Sequence, residues 1–208
     1  MKILSCVAGW ICLSGLNVLP ADAQALLDCK QVLAASGAVF TAVPQPGSSA
    51  ECQVPEPVRM TAVKTHSGLV NLPDQPVFSC SFAVAFASFL EKQVQPLALK
   101  DMRQPLVALG TGPGFDCRDR KGDTAVKLSE HGTANAADMS MFTLANHTQV
   151  LVKDAASPTA TDFAFLQNVR AAACVSFTTV LGPGANLAHA EHFHVDLAQR
   201  KGGYRICE

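Results

Sequence analysis

HAEHFHVDL, residues 189–197, decides how this sequence is read. In an extended chain, residues i and i+2 share a face. His192, His194 and Asp196 then point one way, while Phe193, Val195 and Leu197 point into a core. Polar side chains on one face and apolar ones on the other suit a strand that lines a cleft. The counterpart is SEHGTANAAD, residues 129–138, which carries His131 and Asp138. His131, Asp138 and His194 together make two neutral ligands and one carboxylate. Three protein ligands leave a fourth position for water, the pattern of a catalytic rather than a structural zinc site. His192 sits two residues from a ligand and is placed to exchange a proton with water beside the ion.

The elements around these stretches mix helices and strands. Phe82, Ala85, Phe86, Phe89 and Leu90 recur at i, i+3, i+4, i+7 and i+8, which predicts an amphipathic helix over residues 81–93 ended by Pro96. Residues 162–173 predict a second helix, capped by Thr161 or Asp162. Strands are expected at 110–118, 136–144, 149–152, 174–180 and 191–198. Asn146-His147 reads as a hairpin turn. No βαβ rhythm appears, so the expected class is α+β.

The first 23 residues read as an export leader. Lys2 supplies the positive end, an apolar run follows from Ile3 to Leu19, and Ala21-Asp22-Ala23 offers an A-x-A cleavage site before Gln24. No later apolar run is long enough to span a bilayer. A periplasmic or secreted protein is expected, with no stable membrane insertion after cleavage. Residues 24–76, rich in Pro, Gly, Ser and Val, read as an irregular arm with short strands before a domain at 77–208. Six cysteines follow the leader: Cys29, Cys52, Cys80, Cys117, Cys174 and Cys207. An even number in an exported chain predicts three disulfides. Cys29–Cys52 is the expected local pair, and the other pairings are open.

Charge and aromatic content exclude other classes. With 16 Lys+Arg against 17 Asp+Glu, the net charge is −1, unlike a polybasic nucleic-acid binder or a protein held on a membrane by charge. Trp10 lies in the leader and Tyr204 is the one tyrosine, so flat aromatic faces for gripping sugars are scarce. Arg118 follows Cys117 on an expected cleft strand and suits a peptide carboxylate. Ser129 suits either substrate binding or fixing the His131 loop. Glu130 reads as a solvated neighbour, and Asp196 as a carboxylate behind the ligands.

Several motifs in order resemble the bacterial extensin-like C-terminal domain family. They are Phe78-Ser79-Cys80, Val94-Gln95-Pro96, Phe115-Asp116-Cys117-Arg118, Leu128-Ser129-Glu130-His131, Val180-Leu181-Gly182-Pro183-Gly184 and His192-Phe193-His194-Val195-Asp196-Leu197. The two central motifs are also similar to those of zinc peptidases of the lysostaphin, D-Ala-D-Ala peptidase and hedgehog-like group. That pattern is S-x-H-x-x-G-x-A-x-D followed by H-x-H; Ser129, His131, Ala136 and Asp138 match, and Ala134 stands where the pattern has Gly. The resemblance implies a small antiparallel sheet flanked by helices and stapled by disulfides. It implies Zn2+ on His131, Asp138 and His194, with His192 and His189 lining the active site. It further implies a peptidase acting on peptidoglycan stem peptides. A cross-link endopeptidase is preferred from the spacing of the three histidines. The alternatives are a D-Ala carboxypeptidase and a non-catalytic cell-wall-binding protein on the same scaffold.

Overall fold

The computed structural model describes residues 28–120 and 127–208. The expected leader and Trp10 lie outside the described residues. The class is α+β. The strands are β1 (Ala38–Ala42), β2 (Val58–Thr65), β3 (Gly68–Asn71), β4 (Val77–Phe78), β5 (Leu106–Gly110), β6 (Ala136–Met139), β7 (Met141–Leu144), β8 (Gln149–Leu151), β9 (Thr179–Leu181), β10 (Phe193–Asp196) and β11 (Ile206–Cys207). The helices are α1 (Cys29–Ala35), α2 (Cys80–Phe89), α3 (Gln95–Asp101) and α4 (Phe163–Ser176).

The strands form two sheets. The larger runs β1-β2-β3-β5-β7-β8, with β4 also on β2; the smaller runs β11-β9-β10-β6. Pairing is antiparallel except at β3–β5 and β9–β11. The chain crosses from the smaller sheet to the larger at Ser140, between β6 and β7. The core forms where α2 and α4 pack on this framework. Phe78, Phe82, Phe86, Phe89 and Phe177 are buried, and their ring centroids stand 4.9–5.9 Å apart. Such contacts add about 0.5–1.5 kcal/mol per pair beyond burial.

The region expected to be an irregular arm with short strands carries β1–β3 and, in addition, the helix α1, and Leu33, Val58, Met60, Val63 and Val70 are buried in the common core. Alternation of buried and exposed residues along β2 was masked in the sequence by the Pro-rich loop before it. Pro96 does not end the helix that begins at Cys80. A π turn over Leu90–Val94 widens the backbone, and α3 continues with Pro96 in its first turn. The expected strand at 110–118 stops at Gly110, because Gly112 and Gly114 take positive φ around Pro113. Residues 174–176 belong to the end of α4, so that strand begins only at Thr179. The last cleft strand is shorter than expected, Phe193–Asp196. The helix expected at 162–173 and the β7–β8 hairpin around His147 both form. Asp162 occupies the cap position of α4, but its side chain makes no capping bond.

All six cysteines are bridged, though not as Cys29–Cys52. The pairs are Cys29–Cys80, Cys52–Cys117 and Cys174–Cys207. The first joins α1 to the start of α2. The second ties the segment before β2 to the loop after β5. The third fastens β11 to the end of α4, closing a loop with a sequence separation of 33. Chain entropy assigns that bridge about 3–4 kcal/mol. Urea denaturation of a Cys174→Ser/Cys207→Ser double variant should show a loss of that order. A loss of under about 1 kcal/mol would mean that the bridge does not constrain the chain.

Candidate metal centre

The smaller sheet builds the site. β6 and β10 pair antiparallel with Asp138 opposite His194, so both side chains rise from the same face. Phe193 and Val195 turn to the other side and are fully buried. His131 arrives from a separate 3₁₀ turn, Glu130–Thr133. Three bonds aim that turn. The Ser129 hydroxyl accepts from the His131 N–H at 3.4 Å. The Asp116 N–H donates to the His131 carbonyl at 3.0 Å. The ring Nδ1 meets the Gly114 carbonyl at 2.7 Å. Gly114 has φ of 74°, and a Cβ there would lie 2.5 Å from the Val77 carbonyl oxygen, so no larger residue can present that carbonyl.

Three ligand-type atoms converge. His131 Nε2 lies 3.1 Å from Asp138 Oδ1 and 3.2 Å from His194 Nδ1, and His194 Nδ1 lies 2.9 Å from Asp138 Oδ1. A tetrahedral zinc ion with ligands at 2.0–2.1 Å spaces them about 3.3 Å apart. Among the described residues this is the one cluster of three or more His, Cys, Asp or Glu side chains so arranged.

The outer partners decide which nitrogens are bare. A carbonyl only accepts, so His131 Nδ1 carries the proton and its inward Nε2 is a lone pair. His194 Nε2 faces Asp196 Oδ2 at 3.1 Å, so in the neutral ring its inward Nδ1 is also a lone pair. Two lone pairs and a carboxylate oxygen about 3 Å apart repel unless a cation sits among them. This donor set fits a divalent ion such as zinc, and the carboxylate and carbonyl behind the histidines are the usual orienting groups of such sites.

Without an ion the same geometry captures a proton. Burial alone would lower the His194 pKa; hydrogen bonds to Asp138 and Asp196 outweigh it and raise the pKa to about 9. Burial would raise Asp138, but His131 and His194 hold it well below the usual carboxylate range. Asp196 is lowered too, because its bonds to His194, Thr179 and the Ala198 N–H outweigh burial.

The other expected site residues gather around this centre. His192 Nε2 stands 3.5 Å from Asp138 Oδ1. His189 lies 5.3 Å from His192 and 5.6 Å from His194, centroid to centroid. Its Nδ1 meets Asn186 Oδ1 at 2.8 Å, and that oxygen also accepts from the Ala188 N–H. His189 therefore keeps Nε2 bare. Burial and the neighbouring His194 and His192 lower its pKa to about 4. Burial lowers His192 as well, against the pull of Asp138. All of these line a cleft of about 560 Å³, together with Arg118 and Ser129. Arg118 Nε is held by Asp116 Oδ2 at 2.6 Å. Glu130, expected to be solvated, is half-buried in the cleft wall, where it accepts from Asn135 at 2.7 Å and pairs with Arg120 at 3.5 Å.

Some wall residues had no signal in the sequence. Across the sheet from Asp138 and His194 the next partner is Leu181, and Ile206 pairs with Thr179. The floor thus turns from charged to apolar away from the His131, Asp138 and His194 cluster. Thr179 and Arg200 also line it; their places depend on strand pairing and a distant bond, which spacing along the chain does not reveal.

The proton on His194 yields a direct expectation. A ligand whose pKa is raised to about 9 is protonated near neutral pH, and an entering divalent ion must displace that proton. Calorimetric titration of the metal-free protein with zinc at about pH 7.5, in buffers of different ionisation enthalpy, should show about one proton released per ion. Affinity should weaken as pH falls further below the raised pKa. Zinc uptake without proton release would mean that His194 carries no extra proton in the metal-free protein.

Comparison with curated proteins and with solved structures finds no match. A protein-family model, the extensin-like protein C-terminus, matches residues 27–208. That span includes α1 and β1–β3 as well as the cleft, and the chain belongs to this extensin-like C-terminal family.

Proposed function

We propose that the protein is a zinc-dependent peptidase that hydrolyses amide bonds in peptidoglycan stem peptides in an exported compartment, related to the lysostaphin, D-Ala-D-Ala peptidase and hedgehog-like group. The observation that carries this reading is the convergence of His131 Nε2, His194 Nδ1 and Asp138 Oδ1 at the base of a cleft that also holds His189 and His192. His131, Asp138 and His194 would hold the ion. Bound there, zinc would acidify a water molecule and polarise an amide carbonyl. His192 and His189 supply the proton chemistry. Both have pKa values below the usual histidine value, so both are bases at neutral pH. His192, at 3.5 Å from Asp138, reaches the open side of the ligand set and takes the proton there. The protonated ring then donates to developing negative charge and to the leaving amine.

The rest of the cleft supports a peptide substrate. Arg118 offers a cation for a stem carboxylate, held in place by Asp116 and by the neighbouring Cys117 bridge. Leu181, Ala188 and Ile206 give the cleft an apolar side that suits small aliphatic side chains such as alanine. An endopeptidase that cuts a cross-link is preferred over an enzyme that trims a terminal residue, from the spacing of His189, His192 and His194. Purified cross-linked muropeptides, incubated with the oxidised zinc-loaded protein and followed by mass spectrometry, test this. The wild type should cut them. His192→Ala should keep its zinc and lose about 10²–10⁴-fold in turnover. Intact muropeptides with the zinc-loaded wild type, or unchanged turnover in His192→Ala, would overturn the reading.

A further inference from the structure

We propose that Arg200 and Thr179 are positioning residues for the metal centre, acting through Asp196 on His194. The inference rests on the metal-site reading above and extends it to the C-terminal segment. The chain of contacts runs in one direction. An Arg200 Nη2–H donates to the Thr179 hydroxyl oxygen. The Thr179 hydroxyl donates its one proton to Asp196 Oδ1. Asp196 Oδ2 accepts from His194 Nε2 at 3.1 Å. Asp196 Oδ1 also accepts from the Ala198 N–H at 3.0 Å. Both carboxylate oxygens are thus occupied, and the plate that His194 leans on cannot turn.

Burial makes this arrangement consequential. Thr179, His194 and Asp196 are all at least nine-tenths buried. A cation feeding a hydroxyl feeding a carboxylate polarises each bond in the same sense, and the effect is stronger away from water. Arg200 occupies the Thr179 hydroxyl oxygen from behind, so the hydroxyl proton points to Asp196. Asp196 in turn faces His194 Nε2 and leaves Nδ1 turned toward Asp138 and His131. Arg200 is itself held, with Nη1 donating to the Thr178 carbonyl at 3.1 Å and its guanidinium carbon 5.4 Å from the Tyr204 ring centroid. β11, locked by Cys174–Cys207, pairs with β9 directly beside Thr179. The segment after β10 therefore supports a metal ligand although it supplies none.

The test measures zinc affinity by chelator competition, not turnover, because Arg200 also faces the cleft. Thr179→Val keeps the shape and removes the hydroxyl, and should weaken zinc binding by about 10-fold, the lower end for an orienting partner. Arg200→Ala should weaken it by roughly 3–10-fold. The double variant should be no worse than Thr179→Val alone, because both changes break one chain. Thr179→Ser restores the hydroxyl and should bind as the wild type does. If the variants lower the melting temperature of the metal-free protein but bind zinc as the wild type does, the inference is overturned and these residues only anchor the segment. Additive losses in the double variant would also overturn it. A wild type that takes up no zinc overturns the metal-site reading itself, and this inference with it.

Discussion

The candidate site depends on one pairing, that of β6 with β10, which sets Asp138 opposite His194. A one-residue slip of β10 would send His194 into the core and bring Phe193 and Val195 into the cleft, parting His194 from Asp138. The register is held because Phe193, Val195, Ala137 and Met139 are fully buried on the far face. The hydrophobic core thus fixes the position of a polar cluster that it does not touch. His131 is then added from outside the sheet by a turn whose carbonyl and N–H are both bound to neighbouring backbone or hydroxyl groups.

Holding a carboxylate and two histidines below the surface costs solvation free energy. Outer partners offset it. Gly114 satisfies His131, and Asp196 satisfies His194. Local strain is accepted as well. Ala134 closes the His131 turn in the left-handed region, at φ 54° and ψ 35°, and is fully buried. A left-handed non-glycine residue costs roughly 1–2 kcal/mol. The Ala134 N–H returns to the His131 carbonyl at 3.0 Å, so the strained residue shapes the ligand-bearing turn.

The sequence made the site more legible than the framework. His131, Asp138, His192 and His194 were readable because period-two alternation in 192–197 and a compact motif in 129–138 are local signals. The core of α2 was readable from the spacing of Phe82, Phe86 and Phe89 for the same reason. What failed was non-local or depended on backbone detail. β2 pairs with its neighbours β1, β3 and β4, but the Pro-rich stretch before it disguised the strand. Pro96 is normally a stop signal, but a π turn immediately before it lets the helix resume. The disulfides followed three-dimensional proximity, so the short Cys29–Cys52 separation was a poor guide. Thr179 and Arg200 reach the cleft through strand pairing and a hydrogen bond between distant residues, which spacing along the chain does not reveal.

Zinc K-edge X-ray absorption on the zinc-loaded protein tests the central claim most directly. Coordination by His131, Asp138 and His194 predicts two imidazole nitrogens and carboxylate and water oxygens at about 2.0–2.2 Å, with no sulfur shell. In His194→Ala, one imidazole should disappear from the spectrum. A sulfur shell near 2.3 Å, or a spectrum unchanged by His194→Ala, would contradict the account.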